Sequence, residues 1–367
     1  MSAAVNPLSN PKGGKKLCEL CHKPAYLQCT KCRVTYYCDT AHQEADWLSI
    51  HNRVCQMLRP VRTPAPFHTL QADRDHHRAE IRKAQEKLIS MSEEEARRWL
   101  FEGRCQEALP AARFCLRIAM ETHGPNAVQL VPAYLLLAEA NVGLGSLSLA
   151  EEYLSQAEWT VLKTPDCSGA LRQQLHRNMG SLHNTTGNLD AALQHYANHV
   201  YYASEEYGLD SIITCGGYFL MASVFQKQNK IDIVKSLHKK VADSWHGHLS
   251  KLMEKRMKFS VHQTLSEVQR CEGDRTLTDL LEEQEKMNTS SAPNSTHCDF
   301  NSAHLLHCLA MLWSLAGSWT KALQFGRRAL VEVQRVKDHE LTAPIQQLLT
   351  WIETLPNTLT HTPAITH

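Results

Sequence analysis

No run of this chain is apolar for long enough to cross a bilayer, which takes about 20 consecutive apolar residues, so no membrane role is expected. The N-terminus also lacks the apolar stretch of a secretory leader. The thirteen cysteines are therefore expected to be reduced, as in the cytoplasm, and not to form a disulfide framework. Neither sign of charge prevails: 39 basic residues face 38 acidic ones, a net of +1. A nucleic-acid binder normally carries a basic excess or patch, so nucleic acid is not an expected partner. The basic group Lys12, Lys15 and Lys16 reads as part of a solvated, flexible arm over residues 1–17.

Catalytic signatures are missing as well. There is no G-x-S-x-G elbow, no phosphate-cradling Gly-rich loop and no H-E-x-x-H helix. His195 and His199 have the i, i+4 spacing of a metal pair, but no adjacent Glu completes that motif. No enzymatic activity is expected, and no catalytic residue is assigned.

What the chain does have is a dense cluster of metal-ligating side chains. Cys18, Cys21, Cys29, Cys32, Cys38, His42, His51 and Cys55 lie within 38 residues. In order they read C-x2-C, C-x2-C, C-x3-H and H-x3-C. A C-x2-C turn points two sulfurs at one ion, and i, i+4 residues share a helix face, so each pair can bite one metal. Asp46 to Ile50 fit a short helix between the last two pairs. Eight thiolate and imidazole donors suit two closed tetrahedral zinc sites, of the structural kind. So small a segment cannot bury a sufficient core, and each zinc would supply roughly 10–16 kcal/mol of its folding free energy. His22 falls outside the pairing and is expected in solvent.

The run Cys18-Glu19-Leu20-Cys21, Cys29-Thr30-Lys31-Cys32, Tyr37-Cys38-Asp39-Thr40-Ala41-His42-Gln43, Asp46-Trp47, His51 and Cys55 resembles a MYND-type zinc finger over residues 18–55. The resemblance implies interleaved sites: Cys18, Cys21, Cys38 and His42 for one zinc, and Cys29, Cys32, His51 and Cys55 for the other. The family's sixth ligand is usually Cys, whereas this chain has His42, itself a good zinc donor. The resemblance also implies binding of proline-containing peptides of partner proteins.

After a linker over residues 56–75 the chain repeats itself. Turn-compatible residues stand at Gly103, Gly145, Gly187 and Asn229, each 42 residues on, and a fifth match ends at Gly317. Seven residues before each turn is a small residue: Ala96, Ala138, Gly180, Ala222 and Ala310. Two after each is apolar: Cys105, Leu147, Leu189, Ile231 and Trp319. Five after come Ala108, Ala150, Ala192, Val234 and Ala322. Small residues straddling a turn mark two antiparallel helices in close approach. Trp99, Phe225 and Trp313 recur at related places and are expected in the core.

This pattern resembles tetratricopeptide (TPR) repeats, whose usual period is about 34 residues; the longer period is similar to that of kinesin light chains. Eight further residues add about 12 Å of helix per repeat. The expectation is a mainly α chain: a small zinc-bound MYND finger followed by an α-helical TPR-like solenoid over residues 76–355. Between Asn229 and Gly317, Leu265, Ser266, Gly273 and Thr278 read as remnants of a degenerate repeat. A mobile loop is expected from Asn288 to Ser302 and a frayed tail over residues 356–367.

These resemblances imply a non-enzymatic scaffold that binds other proteins through the TPR surface and the MYND finger. It is expected in the cytoplasm, with a cilium or flagellum as a setting the resemblance suggests. One alternative is a nuclear transcriptional co-regulator, for which no clear nuclear localisation cluster is present. Another is a SET-type methyltransferase, whose Asn-His motif would be Asn198-His199; but helical repeats fill the space a β-rich SET fold needs.

Overall fold

The computed structural model describes residues 2–5, 16–65, 67, 69–259, 265–290, 300–334 and 340–354. Most of the expected arm, Pro66 and Phe67's neighbour His68 in the linker, the middle of the Asn288–Ser302 loop and the 356–367 tail lie outside the described residues. Among the described residues no helix is long and apolar enough to cross a membrane. The chain forms two compact units, residues 1–187 and 188–367.

The 42-residue step has a stereochemical basis. Gly103, Gly145, Gly187, Asn229 and Gly317 all hold positive φ, between 58° and 84°, a region that Gly adopts freely and Asn tolerates. Each ends a helix, and the next helix begins two residues later, at Cys105, Leu147, Leu189, Ile231 and Trp319. At four of the turns the same closing pair of bonds recurs. The Gly103 N–H donates to Leu100 O and the Arg104 N–H to Trp99 O, at 3.0 and 2.9 Å. The equivalents are Gly145 and Ser146, Asn229 and Lys230, and Gly317 and Ser318. These are Schellman caps, which satisfy the last carbonyls of a helix and turn the chain sharply.

In the first unit a small antiparallel sheet has the order β1 (Ser2–Ala4), β2 (Leu27–Cys29), β3 (Tyr36–Tyr37). β1 was not anticipated: Ser2 pairs with Cys29 and Ala4 with Leu27. α1 (Thr40–Asp46) runs without a break into a π-helical turn (Trp47–His51) and α2 (Asn52–Val54), followed by α3 (Leu58–Arg62). Helical hairpins follow: α4 (Gln71–Phe101) with α5 (Cys105–His123), and α6 (Val131–Gly143) with α7 (Leu147–Leu162). α8 (Gly169–Thr186) packs on both α6 and α7. The small straddling residues Ala96, Ala108, Ala138 and Ala150 are all fully buried, so the helices approach closely where those side chains are small.

One core of this unit is shared between finger and hairpins. Ile50, Val54 and Leu58 pack in one cluster with Leu88, Trp99, Ala111, Phe114, Ile118 and Leu137. The finger is thus built onto α4 and α5.

The second unit runs from α9 (Leu189–Tyr207) through α10 (Ile212–Lys227), α11 (Ile231–Phe259), α12 (Glu267–Ser290), α13 (Phe300–Leu315) and α14 (Trp319–Gln334) to α15 (Thr342–Thr354). α13 is apolar on nearly every side and buried from Ala303 to Leu315, as a central helix should be. It packs against α11, α12, α14 and α15. The stretch read as a degenerate repeat contains no hairpin turn at Gly273. That glycine lies inside α12, where an added Cβ would come within 2.9 Å of the Trp245 ring. Its small size serves close packing and not a turn.

Candidate metal centres and the surface that holds them

The eight candidate ligands gather into two quartets: Cys18, Cys21, Cys38 and His42; and Cys29, Cys32, His51 and Cys55. Within each, the donor atoms lie within 4.8 Å of one another. Three elements position the first quartet. The turn after Cys18 is closed by the Cys18 N–H to Lys23 O. Cys38 follows β3. His42 sits in the first turn of α1, whose Asp39 cap accepts from the His42 N–H at 2.7 Å. The second quartet joins the Cys29–Cys32 turn, drawn tight by Arg33 in the left-handed region at φ 61°, to the helix carrying His51 and Cys55.

The distances fit one small cation per quartet. A tetrahedral zinc with ordinary Zn–S and Zn–N bonds spaces its ligands about 3.4–3.8 Å apart. Cys18 Sγ stands 3.5 Å from His42 Nδ1 and Cys21 Sγ 3.6 Å from Cys38 Sγ. Cys29 Sγ is 3.9 Å from Cys55 Sγ, and Cys32 Sγ is 3.7 Å from His51 Nε2. Electrostatics make the same point. Burial, together with the neighbouring thiolates, pushes Cys55 up to about 12, and burial, with the bond to Asp39, pushes Cys38 up to about 12, whereas hydrogen bonds hold Cys21, Cys29 and Cys32 below the ordinary thiol range. So many thiols cannot all ionise side by side without a cation, whereas a coordinating divalent ion deprotonates them. The second quartet is buried throughout; in the first only Cys18 is.

The π-helical turn has a role here. The Asn52 N–H reaches back five residues to Trp47 O. This widened turn brings Asp46 and His51, five apart, to the same side. Asp46 Oδ2 lies 3.6 Å from His51 Nδ1 and accepts from the Tyr37 hydroxyl at 2.6 Å. His51 Nε2 is left facing Cys32. A carboxylate behind a ligating imidazole fixes its tautomer and orientation. Read as an ordinary α-helix, the sequence would place Asp46 and His51 on different faces, so this partnership was missed.

Ser49 was missed too. Pro110 stands inside α5, where it removes a backbone donor and opens the helix. At that opening the Ser49 hydroxyl donates to Glu107 O at 2.6 Å and accepts from the Ala111 N–H at 3.1 Å. It bridges two groups that an unbroken helix joins directly. The Trp99 indole N–H donates to Ser49 O at 3.1 Å. A second clamp is Glu19, almost fully buried. Arg62 holds its carboxylate through both terminal nitrogens, at 3.1 and 2.7 Å, and Arg117 of α5 approaches it closely as well. Burial opposes ionisation of Glu19, but Arg117 and Arg62 outweigh it and hold the carboxyl below its ordinary range.

Other histidines singled out from sequence fall elsewhere. His22 is exposed, as expected, in the left-handed region. His199 is buried in α9, where Gly217 of α10 makes room for it. Asn198-His199 therefore lies in a helix–helix contact. Four of the cysteines outside the finger, Cys115, Cys215, Cys271 and Cys308, are buried, Cys105 and Cys167 are partly exposed, and Cys298 lies outside the described residues.

This geometry defines a zinc-finger type of centre mounted on a helical scaffold. Residues 18–55 match the family model of the MYND finger, and this segment is a MYND finger. Beyond it, the solved structure described as the apo form of RapI is similar over 72% of this chain and 71% of that one, at 12% identity and a TM-score of 0.39.

Proposed function

We propose that the protein is a non-enzymatic scaffold that holds other proteins through its MYND finger and its helical hairpins. The carrying observation is the shared core between finger and hairpins: two recognition elements are presented on one rigid support. Zinc is the ion assigned to both quartets, from their sulfur-rich donor set and spacing. The eight cysteines and histidines named above are its proposed ligands. On the finger, Tyr26 and Leu48 remain largely exposed; on α7, so do Trp159 and Leu162. These are the side chains through which partner segments would be gripped, since exposed aromatics dominate binding energy at interfaces. A partner engaging both elements would gain avidity. The order of finger then long repeats resembles zinc finger MYND domain-containing protein 12, and on that resemblance we place the protein's work in the cytoplasm, at a cilium or flagellum.

The test uses the full chain, because cutting the finger away would expose Ile50, Val54 and Leu58. Affinity capture with mass spectrometry is compared between the native chain, a Tyr26→Ala/Leu48→Ala variant and a Trp159→Ala/Leu162→Ala variant. Each variant is expected to lose a distinct set of partners. Identical partner sets in all three would refute the reading. Exclusive nuclear residence of the tagged protein would favour co-regulation, and saturable binding of S-adenosylmethionine would overturn the non-enzymatic assignment.

A further inference from the structure

One edge of the finger's sheet is covered by the chain's own first residues. β2 pairs with β3 on one side and with β1 on the other. Ser2, Ala3 and Ala4 are exposed and Val5 is half-buried, so β1 is held by its backbone and buries little apolar surface. Its register sets Ser2 opposite Cys29, Ala3 opposite Gln28 and Ala4 opposite Leu27. The Val5 N–H donates to Tyr26 O at 2.9 Å. An antiparallel ladder bonds alternate pairs, so the next bonded pair is Ala3 with Gln28, and the Ala4 N–H points away from β2. A sheet edge is a ready template for an extended segment of another chain.

The ends of this edge suit something other than β1. Just past Cys29 the chain turns with Lys31 and Arg33 exposed, and the Lys31 ammonium is set over the Trp47 ring, 4.4 Å from its centre. Ser2, Ala3 and Ala4 bring no charge to meet them. Glu19 is held by Arg62 and Arg117, Asp39 caps α1 and Asp46 backs His51, so these finger carboxylates are engaged elsewhere. At the other end the largely exposed Tyr26 stands opposite Val5. Resting on the reading that the finger grips partner segments, we propose that β1 is a displaceable occupant of the β2 edge. The finger's partner takes its place with an extended segment antiparallel to β2. That segment carries carboxylates at its N-terminal end, beside Lys31 and Arg33, and an apolar side chain against Tyr26. β1 is then a built-in competitor, and segments that bind too weakly to displace it are refused.

The test is fluorescence anisotropy of a labelled peptide, Asp-Asp-Ser-Ala-Ala-Val-Asn, titrated with the full chain. This probe copies residues 2–6 and adds two carboxylates on their N-terminal side. Ala3→Pro removes a donor from the β1 ladder, whereas Ala4→Pro changes an amide that makes no bond to β2. Ala3→Pro is expected to bind the peptide at least tenfold more tightly than the native chain, and Ala4→Pro as the native chain does. Adding Lys31→Glu and Arg33→Glu to Ala3→Pro should weaken binding at least tenfold. Hydrogen exchange at the Gln28 amide should speed up in Ala3→Pro and slow again with peptide bound. Unchanged Gln28 exchange, equal affinity of the two proline variants, or binding indifferent to Lys31→Glu and Arg33→Glu would overturn the proposal. A dimer of the native chain that Ala3→Pro dissolves would show the edge filled by a second copy's β1, and would overturn it too. Partner loss in Tyr26→Ala/Leu48→Ala, with no change in the partners or yield captured by Ala3→Pro, would overturn this proposal and leave the scaffold reading standing.

Discussion

Ser49→Ala is the most discriminating perturbation of the joint between finger and hairpin. The serine is buried, and its hydroxyl makes two bonds into the opened turn of α5, to Glu107 O and from the Ala111 N–H. Removing it leaves a buried donor and a part-buried acceptor without that partner, at about 1–3 kcal/mol each. Partial re-closure of the turn would return some of this, so a loss of about 2–4 kcal/mol is expected. The Trp99 bond to Ser49 O involves the backbone and should persist. The measurement is equilibrium denaturation, with hydrogen exchange at the Ala111 amide as a local readout. Exchange at Ala111 should speed up more than exchange in α7. The cause can be isolated in a double-mutant cycle. In a Pro110→Ala background the helix can make its own bonds, so Ser49→Ala should cost clearly less there. A loss under about 0.5 kcal/mol, or equal losses in both backgrounds, would refute the claim that Ser49 completes a helix broken by proline.

Other outcomes follow from the same geometry. Asp46→Asn weakens the carboxylate behind His51 and should lower zinc affinity of the second quartet about 10- to 100-fold, read by chelator competition. Ala150→Trp forces a large ring into a fully buried position and should destabilise the first unit by about 1–3 kcal/mol or more, seen as a fall in Tm. Burial lowers His238 to about 4, although Glu283 lies 3.4 Å away. Because the folded value is below the ordinary 6.5, the unfolded chain takes up the proton first. This contribution is complete above about pH 6.5 and is lost as the pH falls toward 4, by about 2 kcal/mol at pH 5. His238→Gln should flatten the stability profile between pH 5 and 7 relative to the native chain, and an unchanged slope would contradict the assignment.

Much of this architecture was legible from residue spacing because its determinants are local. A turn that closes with a left-handed residue selects Gly or Asn, so Gly103, Gly145, Gly187, Asn229 and Gly317 mark it openly. Close helix packing selects small side chains, so Ala96 and Ala108 stand out in the same way. Gly273 shows the weakness of that logic. Glycine is used both for turns and for tight contacts, and only the Trp245 ring against it tells which. The ligand pairs were visible because chelation constrains spacing within a single turn. The support behind them was not. Ser49 meets Ala111 across 62 residues and Glu19 meets Arg117 across 98, and contacts that distant leave no periodic trace. The π-helical turn hid Asp46 from His51 for a related reason: one added residue per turn changes which side chains share a face.

The central claim is that two closed metal sites, each with three sulfurs and one imidazole nitrogen, anchor a finger fused to the first helical hairpin. Zinc K-edge absorption on the full chain, after loosely held metal is removed and total zinc is counted, tests it most directly. The account predicts two zinc ions per chain and an average shell of three sulfurs and one nitrogen. A single zinc, or a shell dominated by nitrogen and oxygen, would contradict it.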